Sequence, residues 1–240
     1  MSNKRTPIIF LDFDGVINGN NLIYGILMKI GSQKIFHFVE DHILGQKIYG
    51  VHKKKVKLLA KICKKTGARV VFTSSWGEGV YQAYKEYPNY EKYYNDNERY
   101  LTELLHKYEI EVIDCAKPVD NIPMYKDNRQ NRIIQWLAHN YEKVNGFIIL
   151  DDEYSHLYKM KMFCIFTTNN INEVKRSFYY SDNIDIKKIK GTWSCFEGLN
   201  RKYTKKAIDL LNNNMYKGLC LTNIQRYVDT EQRRGHIKID

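Results

Sequence analysis

The chain has 240 residues, 43% of them hydrophobic, which is enough for one sizeable core and one domain with insertions or a small appendage. No apolar run approaches the roughly 20 residues of a membrane span, and the N-terminus has no signal-type apolar stretch, so a cytoplasmic protein is expected. Five scattered cysteines without a Cys-x-x-Cys signal neither a disulfide framework nor a zinc site, while a net charge of +11 favours polyanionic partners. The joint abundance of Lys, Asn, Ile and Tyr, as an AT-rich genome produces, explains that charge equally well.

The first predicted element is the apolar run Ile8 to Leu11, bounded by Pro7 and Gly15 and read as a buried strand. It ends in Asp12 and Asp14. Alternate strand residues face the same way, so both carboxylates sit together at its C-terminal end. Gly15 lets the chain leave sharply. Like charges this close need a proton, a cation or strong donors, and a hard metal ion suits them. A plain Asp-Gly turn is the bland alternative. A calcium loop fails, because Val16 and Ile17 stand where the next ligand and the glycine belong.

Asn18 to Val51, punctuated by glycines, reads as a short insertion over the strand ends. His52 to Thr66 is helical, with Val56, Leu59, Ala60 and Cys63 on one face, lysines on the other and Gly67 as the stop. Ala68 to Phe72 is a second buried strand, ending in Thr73-Ser74-Ser75-Trp76. Tyr81, Tyr84, Tyr87, Tyr90 and Tyr93 then recur every third residue, with Lys85 and Lys92 among them. Such a stretch can stack bases; tyrosines on a half-buried helix face, hydroxyls outward, are the preferred reading. Pro88 argues against one helix through it. Leu101 to Tyr108 is helical, and Glu109 to Cys115 is a third strand.

Lys117 to Tyr125 is a loop. Asp127 or Asn128 caps a helix running to about Asn140, with Ile133, Trp136 and Leu137 inward. Phe147 to Leu150 is a fourth strand, ending in Asp151-Asp152-Glu153, and Met162 to Phe166 a fifth. Strands alternating with helices predict an α/β fold with a doubly wound parallel sheet. Beyond about Asn169 the rhythm is lost; Tyr203 to Leu211 is an amphipathic helix, and Arg233, Arg234 and Lys238 make the tail basic. The expected organisation is a core over 1–170 with an insertion at about 19–51, and an extension over 171–240 that is part of the same domain or a small subdomain.

Three strand ends thus carry Asp12/Asp14, Thr73/Ser74 and Asp151/Asp152, with Lys126 and Arg129 at a helix start. Ligands bind at the carboxyl ends of such strands. Acids suit Mg²⁺, a hydroxyl-and-amide corner suits phosphate oxygens, and a cation suits developing charge.

In this order the motifs resemble those of the haloacid dehalogenase-like (HAD) phosphohydrolase superfamily. Ile8 to Val16 is similar to its first motif, Val70 to Ser74 to its second, a basic residue near a helix start to its third, and Ile148 to Asp152 to its fourth. Ser74-Ser75-Trp76, Arg129 with Ile133 and Trp136-Leu137, and the Asp-Asp-Glu run are similar to the small HAD domains of RNA-repair enzymes and polynucleotide phosphatases. The resemblance implies a Rossmannoid core with a small cap insertion. It implies that Asp12 attacks phosphorus and that Asp14 handles the leaving-group proton and then the water. Thr73 and Ser74 would hold phosphoryl oxygens, and Arg129, or else Lys126, would stabilise charge. Phe13, Gly15 and Trp76 join Ser74 as expected substrate contacts. Asp151 and Asp152 would hold Mg²⁺ together with Asp12 and the Asp14 carbonyl.

The short insertion implies an open site for a large phosphorylated substrate such as a nucleic-acid end. A small-molecule phosphatase is the alternative within enzymes, and a catalytically idle nucleic-acid or protein binding module the alternative outside them. A phospho-receiver domain is disfavoured, because the paired acids here come last and no mid-sheet acid closes a strand.

Overall fold

The computed structural model describes residues 5–18, 51–74, 76–89, 96–117, 129–152, 157–167 and 198–234. Its five strands are β1 (Thr6–Leu11), β2 (Arg69–Phe72), β3 (Val112–Cys115), β4 (Val144–Asp151) and β5 (Cys164–Phe166). They form one parallel sheet in the order β3-β2-β1-β4-β5. This is the α/β core expected from the sequence. β1 lies at the centre because Ile8 to Leu11 is apolar on both faces, each side chain at most 1% exposed. Pro7 has no N–H to give the ladder, and the β1–β4 register shifts beside it, between Thr6 and Pro7.

The helices are α1 (Lys53–Thr66), α2 (Gly77–Glu86), α3 (Asp96–Lys107), α4 (Arg129–His139), α5 (Arg201–Asn212) and α6 (Asn214–Arg233). α1 buries Val56, Leu59, Ile62 and Cys63 at three- and four-residue intervals. It stops at Gly67, whose φ of 68° and N–H bond to the Cys63 carbonyl close the last turn. Right-handed crossovers put α1 on one face of the sheet and α4 on the other. α5 packs on α1, and α6 packs on α4 and β4.

Several boundaries differ from the sequence reading. The fifth strand begins at Cys164, because Tyr158–Phe163 winds into a 3-10 turn that leaves Met162 outward and seats Phe163 against Phe147. The third strand begins at Val112, since Glu109 takes a φ of 54° in a turn. The tyrosine-rich stretch breaks into α2 and α3 as Pro88 predicted. Tyr81 and Tyr84 give their hydroxyl protons to the carbonyls of Ile113 and Ile110, so they tie α2 to the β3 segment. Tyr90 and Tyr93 lie outside the described residues.

α6 was not expected. Tyr216, Cys220, Ile224 and Val228 form its buried stripe, and the Tyr216 hydroxyl donates to the Phe147 carbonyl at 2.9 Å. Residues 19–50 of the predicted insertion, Ser75, Lys126 and its neighbouring caps, Glu153 and Lys238 all lie outside the described residues.

Candidate active site

Register builds the site. Leu11 pairs with Phe72 on one side and with Leu150 on the other, so the next residues, Asp12, Thr73 and Asp151, reach the same sheet edge together. The ladder runs one step further: Thr73 N–H donates to Leu11 O, Asp12 N–H to Leu150 O and Thr167 N–H to Asp151 O, at 2.9–3.0 Å. Backbone bonds in the sheet therefore fix these residues independently of their side chains.

Asp12 and Asp151 are buried, at 1% and 0% exposure. Together with Asp152 they place three carboxylates whose oxygens lie within 4.8 Å of one another. Burial, reinforced by Asp151, pushes the Asp12 carboxyl well above the usual carboxylate range; Arg129 opposes that rise, while Asp152 and Asp14 add to it. The Arg129 guanidinium, on the first residue of α4, lies 3.2 Å from Asp12 Oδ2 and 2.6 Å from Asp151 Oδ2. Three clustered carboxylates offer all-oxygen donors, which suit a hard divalent ion. Asp12 Oδ1 is buried without a hydrogen-bond partner. The residues present therefore fit Mg²⁺.

Asp14 stands apart. Its carboxylate is exposed and lies outside the acidic trio; it accepts from Asn18 Nδ2 at 2.5 Å and from Trp76 Nε1 at 3.2 Å. Thr73 Oγ1 and Ser74 Oγ are buried, and neither has a hydrogen-bond partner. The expected Phe13 contact must be corrected for its side chain: the ring is fully buried against Phe72 and Trp76, at centroid distances of 4.7 and 4.5 Å. Only its backbone remains to meet a ligand. Gly15, at φ 69°, leaves no space for a Cβ, which would fall on the Asp152 carboxylate.

Sequence reasoning passed over three neighbours. Asn18 holds Asp14. Thr167 follows β5 as Thr73 follows β2, and its hydroxyl donates to the Gly15 carbonyl at 2.8 Å; the same strand-end signal was there to read. Asp114 near the end of β3 accepts from Trp136 Nε1 and from the Cys115 N–H, which makes it a structural acid on an edge strand.

A family model described as "HAD domain in Swiss Army Knife RNA repair proteins" matches residues 8–170, more than half of the chain. Comparison with curated proteins and with solved structures finds no match. No helix among the described residues is long and apolar enough to cross a membrane.

Proposed function

The chain belongs to the family of HAD domains found in Swiss Army Knife RNA repair proteins, and on that premise we propose that it is a Mg²⁺-dependent phosphomonoester hydrolase acting on phosphorylated nucleic-acid ends. The family supports HAD-type phosphohydrolase chemistry in general. The observation that carries the finer reading is a set of three orphaned polar atoms at one sheet edge: Asp12 Oδ1, Thr73 Oγ1 and Ser74 Oγ. Each such atom costs roughly 1–3 kcal/mol when left unpaired. A phosphoryl group accepts from both hydroxyls and sets its phosphorus in front of the unpaired Asp12 Oδ1 lone pair.

Asp12 Oδ1 attacks phosphorus, the ester P–O bond breaks, and Asp14 delivers a proton to the leaving oxygen. A water then attacks the aspartyl-phosphate, Asp14 takes its proton, and phosphate leaves with the Asp12 carboxylate restored. Thr73 and Ser74 donate to the phosphoryl oxygens. Arg129 compensates the charge gathered on Asp12 and Asp151. Asp12, Asp151 and Asp152 would hold Mg²⁺, which neutralises phosphoryl oxygens and makes phosphorus more electrophilic.

The test is phosphate release from 3′- and 5′-phosphorylated oligonucleotides, mononucleotides, sugar phosphates and an aryl phosphate, with Mg²⁺ and with EDTA. Release that needs Mg²⁺, vanishes in Asp12→Asn and favours oligonucleotides is the expected result. Preference for mononucleotides or sugar phosphates would assign a small-molecule phosphatase instead. No release from any substrate by the folded parent would remove the enzymatic reading.

A further inference from the structure

α1 carries seven lysines and no acid, and α5 carries Arg201, Lys202, Lys205 and Lys206 against a single Asp209. The two helices pack on each other, and all of these cations except Lys55 are exposed. Both helices start from the loop that follows Asp12: His52 N–H donates to the Ile17 carbonyl at 2.9 Å, and Leu199 N–H to the Val16 carbonyl at 2.8 Å. They therefore leave the catalytic edge side by side. α1's 14 residues carry its lysines over about 21 Å to the opposite edge of the sheet. There Lys61, Lys64, Lys65 and Lys107, with Glu109 and Glu111, line a groove of about 590 Å³.

The placement of charge at both helix starts is wrong for helix stability. The first turns hold Lys53, Lys54 and Lys55 in α1 and Arg201 and Lys202 in α5, with no acid in either, although the positive end of the helix dipole favours acids there. Positive charge gathered at two adjacent helix starts suits an external anion held beside the catalytic loop. A local rule broken twice at one place marks a functional surface.

We propose that α1 and α5 form a platform for the phosphate backbone of a single-stranded RNA, whose phosphorylated end reaches Asp12. The assignment rests on the hydrolase reading of the site only for which end of the strand lies where. Lys53, Lys54, Arg201 and Lys202 hold the phosphates nearest the end. Lys57, Lys61, Lys64 and Lys65 hold those further along.

The probe is a fluorescently labelled single-stranded RNA of about 12 nucleotides without a terminal phosphate, titrated in EDTA across a range of salt. Two sets of variants carry Gln at the near four or at the far four positions, and Arg replaces the lysines in a third set. We expect each Gln set to weaken binding at least tenfold and to flatten the plot of log affinity against log salt by about 0.7 for each phosphate no longer neutralised. The Arg set keeps both, and turnover of an aryl phosphate stays within twofold of the parent throughout. Unchanged affinity and slope in the Gln sets overturn the platform, as does a parent that holds poly-glutamate but not RNA. Aryl phosphate hydrolysis without RNA retention defeats the platform alone. RNA retention that the Gln sets abolish, in a parent that hydrolyses nothing, defeats the hydrolase reading alone.

Discussion

Trp76 shows how one side chain joins packing to chemistry. Its ring lies on Phe13 while its N–H holds the Asp14 carboxylate. Trp76→Phe keeps the ring contact and removes the N–H. If Asp14 supplies the proton to the leaving oxygen, kcat for an alkyl phosphate should fall about tenfold, the equivalent of one ordinary charge-assisted bond. An aryl phosphate, whose leaving group needs little protonation, should change much less. Equal losses on both substrates would make Trp76 a packing residue only. Gly15 is the second residue where space decides. Gly15→Ala must adopt a φ of 69° and drive its Cβ into the Asp152 carboxylate. The backbone term costs about 1–2 kcal/mol, and displacement of Asp152 should weaken Mg²⁺ binding measured by calorimetry more than it lowers Tm. A variant with parental Mg²⁺ affinity would show that Asp152 moves without consequence.

At the scale of elements, what was legible in the sequence was local. An apolar run that ends in acids signals a strand end through five or six consecutive residues, so the edge bearing Asp12, Thr73 and Asp151 could be read from the residues alone. Which strands neighbour one another is a long-range matter, as is the bridge that Arg129 makes from Asp12 to Asp151 across 117 and 22 residues of chain. α6 escaped notice because its buried stripe mixes Tyr216 and Cys220 with Ile224 and Val228, and the bond from Tyr216 to the Phe147 carbonyl has no sequence signal. Lys55 was hidden in the same way, as one lysine among seven. Its ammonium is buried without a hydrogen-bond partner beside Gly198, where a Cβ would collide with it. Burial lowers its pKa from 10.5 to about 8. Between those values the unfolded chain binds more protons than the folded one, so the cost of this residue is full below pH 8 and fades as pH rises toward 10.5. Lys55→Met, similar in volume, should therefore stabilise the fold at pH 7 by about 1–2 kcal/mol after allowance for solvent screening, and the gap in Tm between variant and parent should narrow as pH rises above about 8 and close only above 10.5. A destabilised variant would mean that the ammonium is held by a partner.

For the whole molecule, the acidic trio couples the site to global stability. Asp12, Asp151 and Asp152 bring three carboxylates within 4.8 Å, and Arg129 bridges Asp12 and Asp151. Folding must gather these like charges, and no such gathering is required of the unfolded chain, so a cation that binds only the folded form stabilises it by mass action. At ten times its Kd, Mg²⁺ should add about 1.4 kcal/mol, which for a chain of this size raises Tm by about 3–6 °C. Asp152→Asn separates the two effects. It takes one carboxylate from the trio and leaves Arg129 with both of its buried partners, so the Mg²⁺ increment should shrink by more than the metal-free Tm changes. Asp12→Asn should shrink the increment as well and abolish turnover, whereas Asp14→Asn should abolish turnover with the increment intact, because the Asp14 carboxylate lies outside the trio. Calorimetric melts of the parent and the three variants, each with EDTA and with Mg²⁺, decide it. A parent Tm indifferent to Mg²⁺, or an increment that Asp152→Asn leaves whole, would place the metal elsewhere.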